Sequence, residues 1–150
     1  MALGKQLHVE IVTQTGSVFS NDADEVVAPG GEGQLGILPN HAPLMTTLTI
    51  GALHIKRNGG EDTLFVGGGF MEVHNNNVII LADDAENAND IDEAKAEEAR
   101  RRAQQLLEQR AEGTDVAALQ GQIERALGRI HVAEIHRTRR RRNDLPGQSQ

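Results

Sequence analysis

The chain has no cysteine, tryptophan or tyrosine and only three phenylalanines. Without cysteine it can build neither a disulfide framework nor a thiolate metal site. With so few rings there is little to stack on single-stranded nucleic acid. No apolar run approaches the roughly 20 residues needed to cross a bilayer. The opening MALGKQLHVE lacks the long apolar segment of a signal peptide. These absences fit a cytoplasmic protein. The six histidines, His8, His41, His54, His74, His131 and His136, form no i, i+4 pair and no HExxH. No P-loop lysine pattern occurs.

Across 150 residues the formal charge is −7, and its distribution says more than its sum. Residues 1–90 carry 12 acids and 3 bases; residues 91–150 carry 10 acids and 12 bases. The glycines divide in the same way, 12 before residue 90 and 4 after it. A shift this abrupt marks a boundary between two small domains.

The first part reads as strands. Leu7, Val9 and Ile11 alternate onto one side. Residues 48–56 and 62–66 are predicted strands joined through Asn58-Gly59-Gly60, a strong hairpin signal. Residues 70–74 and 77–82 repeat the pattern across Asn75-Asn76. Gly67-Gly68-Gly69 is expected to form a bulge or corner. The run Val78-Ile79-Ile80-Leu81 reads as a strand buried on both faces or crossing between sheets. Closely spaced turn signals predict an antiparallel β-sandwich or flattened barrel of about ten short strands, with the sandwich preferred.

After Asp83 the period becomes helical. Asp90 with Glu93 resembles a capping box, and Ala99, Ala103, Leu106 and Leu107 recur at helical spacing to about Ala111. Gly113 stops this helix, and Thr114 or Asp115 caps the next. That second helix carries Val116, Leu119, Ile123, Leu127 and Ile130 as its stripe. A short connection between two amphipathic helices predicts an antiparallel hairpin. The expected domains are a sandwich over 1–86, a hairpin over 87–138, and a basic, disordered tail over 139–150. So small a hairpin is marginal alone and suits a conformational switch.

Residues 29–44, PGGEGQLGILPNHAPL, hold three of the four prolines. The segment is predicted to follow an irregular path, neither helix nor regular strand, with Leu35, Ile37, Leu38 and Leu44 needing a surface to pack on. Gly31, Gly33 and Gly36 spell G-x-G-x-x-G, but Pro39 and Pro43 forbid the helix a dinucleotide site requires, and Glu32 would repel phosphates. His41 suits a contact role there, with no neighbouring nucleophile to make it catalytic.

Two basic groups remain. Arg137 and Arg139, Arg140, Arg141 and Arg142 fit phosphate binding, a solvated tail, or docking on an acidic protein surface; the acidic remainder of the chain weakens the nucleic-acid reading. On the first helix Asp92 is expected near the centre of the inward face, with Lys95 and Arg102 on one flank and Ala96, Ala99 and Ala103 leaving room beside them. Arg125 and Arg129 are i, i+4 neighbours on the second. These groups could hold a triphosphate and an adenine amino group, but spacing alone favours ordinary i, i+4 salt bridging.

Over residues 5–138 the chain resembles the epsilon subunit of F-type ATP synthases. The resemblance rests on Pro29-Gly30 with Gly33, and on the run from Gly36 to Leu44 (GILPNHAPL). Phe19, Gly68-Gly69-Phe70 with Glu72-Val73, and Leu81-Ala82-Asp83 with Ala85-Glu86 also match. It implies a non-catalytic rotor-stalk subunit that helps couple proton translocation to ATP synthesis. The implied partners are the gamma subunit, the c-subunit ring, and the alpha and beta subunits of the catalytic head. The implied location is peripheral, on the cytoplasmic face of the cell membrane. Glu32, Gln34 and His41 become rotor-interface candidates; many relatives carry a carboxylate at Gln34, and Glu32 can substitute for it.

The resemblance also implies that the hairpin inhibits ATP hydrolysis when extended, with Arg137 and Arg139 to Arg142 docking on acidic beta-subunit segments. Some bacterial relatives bind ATP in the compact hairpin through Ile/Leu-Asp-x-x-Arg-Ala. Here that motif reads Ile91-Asp92-Glu93-Ala94-Lys95-Ala96. Lysine keeps the charge but lacks the planar fork, which implies weaker binding. Glu86, Arg102, Arg125 and Arg129 align with other positions implicated there. No cofactor is required, and ATP would be an effector. The alternative is a free-standing nucleotide-sensing regulator, separated by the absence of partner subunits on purification.

Overall fold

The structure, a computed structural model, describes residues 5–145. It divides into two units after Asn87. The first contains eight strands: β1 (Leu7–Thr13), β2 (Gly16–Ala23), β3 (Glu25–Gly30), β4 (Gly33–Ile37), β5 (Leu44–Arg57), β6 (Gly60–His74), β7 (Asn77–Ala82) and β8 (Ala85–Asn87). The hydrogen-bonded order is β2-β1-β7-β6-β5-β3-β4, with β8 on β6. Leu7, Val9 and Ile11 of β1 share one buried cluster with Val26, Ile37, Leu53, Ile55, Leu64, Met71 and Ile80. Strands far apart along the path meet in one core only if the path folds over itself, as in a sandwich.

Two long strands make that folding possible. β5 and β6 pair antiparallel from Leu44↔Val73 to Arg57↔Gly60. The expected segments 62–66 and 70–74 are therefore parts of one strand, which is one reason the count is eight and not ten. Gly67-Gly68-Gly69 is the corner between them. Gly68 and Gly69 have φ of 98° and 139°, and a side chain at Gly69 would collide with the Leu81 carbonyl. Before the corner β6 pairs with β8; after it, with β7. Asn58-Gly59 and Asn75-Asn76 close two-residue turns with positive φ at all four positions, the geometry that matches strand twist.

The irregular path expected from Pro29 to Leu44 is corrected in its first half. β3 and β4 form a hairpin, with Pro29↔Gln34 and Gly30↔Gly33 in register around Gly31-Glu32. Proline is tolerated because β3 meets β5 across a register irregularity between Val27 and Gly30. Outside that two-residue turn, only residues 38–43 of the segment lack strand pairing. Ile37 is buried, Leu35 and Leu44 pack on the core, but Leu38 is exposed.

The second unit contains a 3-10 turn (Ala88–Asp90), α1 (Glu93–Gln109) and α2 (Val116–Asn143), with the two helices packed together. The α1 cap is Asp92, not Asp90: its carboxylate accepts from the Lys95 backbone N–H. α1 ends at Arg110 in the left-handed region, φ 38°, before Gly113. Asp115 caps α2 through the Ala118 N–H. The buried α1 positions are Ala96 and Ala103, whereas Ala99 and Leu106 are exposed. The inward face is thus rotated from the Ala99–Leu106 line toward Arg100 and Leu107, which are half-buried. On α2 the buried residues are Ala126, Val132 and Ala133, and Leu127 is exposed.

The expected disordered tail is corrected over 139–143, where α2 continues. Loss of an apolar stripe ends amphipathicity, not helicity. Arginine is a good helix former, and cations in the last turn complement the helix dipole. Residues 146–150 of that expected tail lie outside the described residues. Among the described residues no helix is long and apolar enough to cross a membrane.

Candidate functional site

In the sandwich, the predicted contact residues sit on two segments. Glu32 is exposed in the β3–β4 turn, and Gln34 is exposed on β4. His41 lies in the 38–43 loop, half-buried. Its N–H donates to the Leu38 carbonyl, and its Nδ1 lies 2.7 Å from the Ala42 carbonyl oxygen. A carbonyl can only accept, so Nδ1 carries a proton in this contact.

One residue that fixes this loop was missed in the sequence. Asn76, in the β6–β7 turn, accepts from the Asn40 N–H at 2.6 Å through Oδ1. Its amide nitrogen faces Asn40 Oδ1 at 3.5 Å. Both asparagines have positive φ, 66° and 63°. Their turn character was legible; their pairing across 36 positions was not.

The run Val78 to Leu81 overturns another expectation. Val78 and Ile80 face the core, but Ile79 and Leu81 face outward, 39 % and 54 % exposed, beside Phe70 at 56 % and Met45 at 71 %. In register, Phe70 opposes Leu81, and Glu72 opposes both Ile79 and Met45. These residues line one shallow apolar cleft across β5, β6 and β7. The strand alternates normally; its outer side is apolar without being covered by its own unit. Contiguous exposed apolar surface of this kind marks an interaction site.

On the hairpin, the spacing-based pocket is only partly assembled. Asp92 and Lys95 meet, but through the Lys95 backbone N–H, so the carboxylate is occupied by capping. It also lies off the inward face, and Lys95 is exposed. Arg102 pairs with Glu98 at 2.8 Å, an exposed i, i+4 bridge. The Arg125 guanidinium lies back along its own helix toward Gly121. Arg129 is half-buried and Ala96 buried. Glu86 belongs to the first unit, on β8. Arg100 pairs with Glu97 and holds that carboxyl below the usual carboxylate range, chiefly through the side-chain hydrogen bond. These are the ordinary exposed ion pairs that spacing favoured. A nucleotide would have to draw Arg102 from Glu98 and share Asp92 with the cap.

Arg137 is engaged as well. Its guanidinium donates to Glu93 at 2.5 Å, while His136 Nε2 lies 2.6 Å from Asn89 Oδ1. Arg140, Arg141 and Arg142 occupy the exposed last turn of α2.

Residues 6–88 match the family described as ATP synthase, Delta/Epsilon chain, beta-sandwich domain, and residues 89–134 match its long alpha-helix domain. The ATP synthase epsilon chain of Nitratidesulfovibrio vulgaris (strain DP4) is 48% identical over 128 residues, 85% of this chain and 96% of that one. That of Desulforamulus reducens is 43% identical over 132 residues, 88% of this chain and 100% of that one. Among solved structures, a chain of the Euglena gracilis mitochondrial ATP synthase (OSCP/F1/c-ring, rotational state 1) superposes with a TM-score of 0.69 at 21% identity, covering 91% of this chain and 85% of that one. A chain of the Tetrahymena thermophila mitochondrial ATP synthase central stalk/c-ring gives 0.53 at 17% identity, covering 90% and 98%. A β-sandwich followed by two packed helices is thus matched along nearly its whole length, and the chain belongs to the ATP synthase delta/epsilon family as an epsilon-type, non-catalytic subunit.

Proposed function

We propose that this chain is a rotor element of the central stalk, clamped by its sandwich to the gamma subunit and resting on the c-subunit ring. There it helps couple proton translocation to ATP synthesis. The observation that carries the reading is the apolar face of Met45, Phe70, Ile79 and Leu81. A free-standing regulator would carry that face into water at a cost, whereas a stalk subunit buries it against a shaft. Glu32 and Gln34 on the β3–β4 hairpin and His41 in the 38–43 loop supply polar contacts to the neighbouring ring. The chain is held peripherally at the cytoplasmic face of the membrane through the complex.

A pull-down of the tagged chain from solubilised membranes tests this. Gamma and the catalytic subunits are expected as co-purifying bands. Recovery of the chain alone would favour the free-standing regulator.

The helical unit is the regulator in this reading. Extended, it presents Arg137 and Arg139 to Arg142 to acidic beta-subunit surface and slows hydrolysis. Compact, it binds ATP as an effector through Asp92, Lys95, Arg102, Arg125 and Arg129. ATP favours the compact state only by binding it more tightly than the extended one. Calorimetry on the isolated chain is expected to give saturable heat at about millimolar ATP, a free energy near −4 kcal/mol. Asp92→Ala and Arg125→Ala are each expected to weaken binding about tenfold, the loss of one charge-assisted bond. No saturable heat with wild type removes the sensor and leaves the rotor standing.

A further inference from the structure

We infer that Glu93 and Asn89 form an intramolecular latch that occupies the docking cation Arg137 and holds the last third of α2 against the start of α1. The inference rests on the regulatory reading above and adds the device that sets its resting state. Four side chains carry it. Arg137 donates to Glu93 at 2.5 Å across 44 positions of sequence. One residue earlier, His136 meets Asn89 at 2.6 Å across 47 positions. Consecutive residues on α2 therefore grip the 3-10 turn and the first residue of α1, the two places where the chain enters the hairpin.

The position matters more than the strength. α2 has 28 residues and α1 has 17, so about 16 Å of α2 has no length of α1 to lie against. Buried apolar contacts on α2 end at Ala133. Beyond them, the His136 and Arg137 contacts hold the helix end. It also neutralises a cation that the extended state needs. Glu93 thus acts as an internal stand-in for the acidic surface of the partner: closed hairpin and docked hairpin compete for the same guanidinium. Both groups are partly exposed, 48 % for Arg137 and 36 % for Glu93, so each bond is weak and the latch is reversible.

Amide hydrogen exchange on the full isolated chain reads the latch directly. In Glu93→Gln and in Arg137→Gln, amides of residues 134–143 are expected to exchange about two- to fivefold faster, the effect of one exposed ion pair. The double variant is expected to match either single, because both remove the same bond. Unchanged rates, or single effects that multiply in the double variant, would overturn the latch. Glu93→Gln in the assembled enzyme then separates the two readings. Deeper inhibition of hydrolysis supports latch and regulator together. Faster exchange with unaltered hydrolysis keeps the latch and removes the inhibitory reading.

Discussion

Removing residues 88–150 is expected to raise the ATPase activity of the assembled enzyme roughly five- to tenfold, within the range of coupling between two sites in one protein, while assembly proceeds. The structural ground is the division of the chain. Every residue of the sandwich core cluster lies between Leu7 and Ala82. The ladders from β1 to β8 are complete by Asn87. A cut at 88 leaves no core strand unpaired and takes no residue from the Met45–Phe70–Ile79–Leu81 face, so the truncated chain keeps what it needs to join the stalk. What it loses is the whole set of basic side chains at the end of α2. Steady-state hydrolysis with and without the second unit, normalised to the amount of chain bound, gives the answer. Unchanged hydrolysis would show that the hairpin is not inhibitory.

The second large effect is expected on the sandwich. Phe70→Asp and Leu81→Asp, made separately, are each expected to weaken binding to isolated gamma subunit by about thirtyfold or more, the loss of an interface hot spot. A carboxylate on this face must be desolvated when the surface is covered, and nothing there but Glu72 is charged. Each side chain is more than half exposed in the free chain, so the fold should tolerate the change. The two are kept apart because Phe70 and Leu81 are directly opposed in the ladder, and two aspartates there would repel. Val18→Asp, an exposed apolar residue on β2 outside the cleft, is the matched comparison and should bind like wild type. Wild-type affinity in both test variants would show that the shaft lies on another face.

How much of this was legible in the residues can be argued position by position. The alternation of Leu7, Val9 and Ile11 identified β1 because strand geometry sends every second side chain to one face. Asn58-Gly59 and Asn75-Asn76 announced hairpins because few residues accept positive φ. Gly67-Gly68-Gly69 announced a corner for the same reason. The GILPNHAPL run and its spaced companions identified the family.

The same residues misled wherever chemistry had two causes. Val78 to Leu81 looked buried on both faces because an apolar side chain records that water is excluded, not whether its own domain or another subunit excludes it. The Ala99–Leu106 line on α1 looked inward because alanine is equally at home in a helix interface and on a helix surface. The arginine run looked disordered because it carries no apolar stripe, although arginine is a good helix former and its charge suits a helix end.

From the sequence alone came two units, strands before helices, a capped start to α2, and membership of a family. Local rules suffice for these: period, turn chemistry and charge balance act between neighbours in the chain. Tertiary structure alone decided which side of β7 is core, that Asn76 holds Asn40, and that Glu93 holds Arg137. Those depend on residues 36 and 44 positions apart meeting in space, and no local propensity encodes which distant partner a side chain will find.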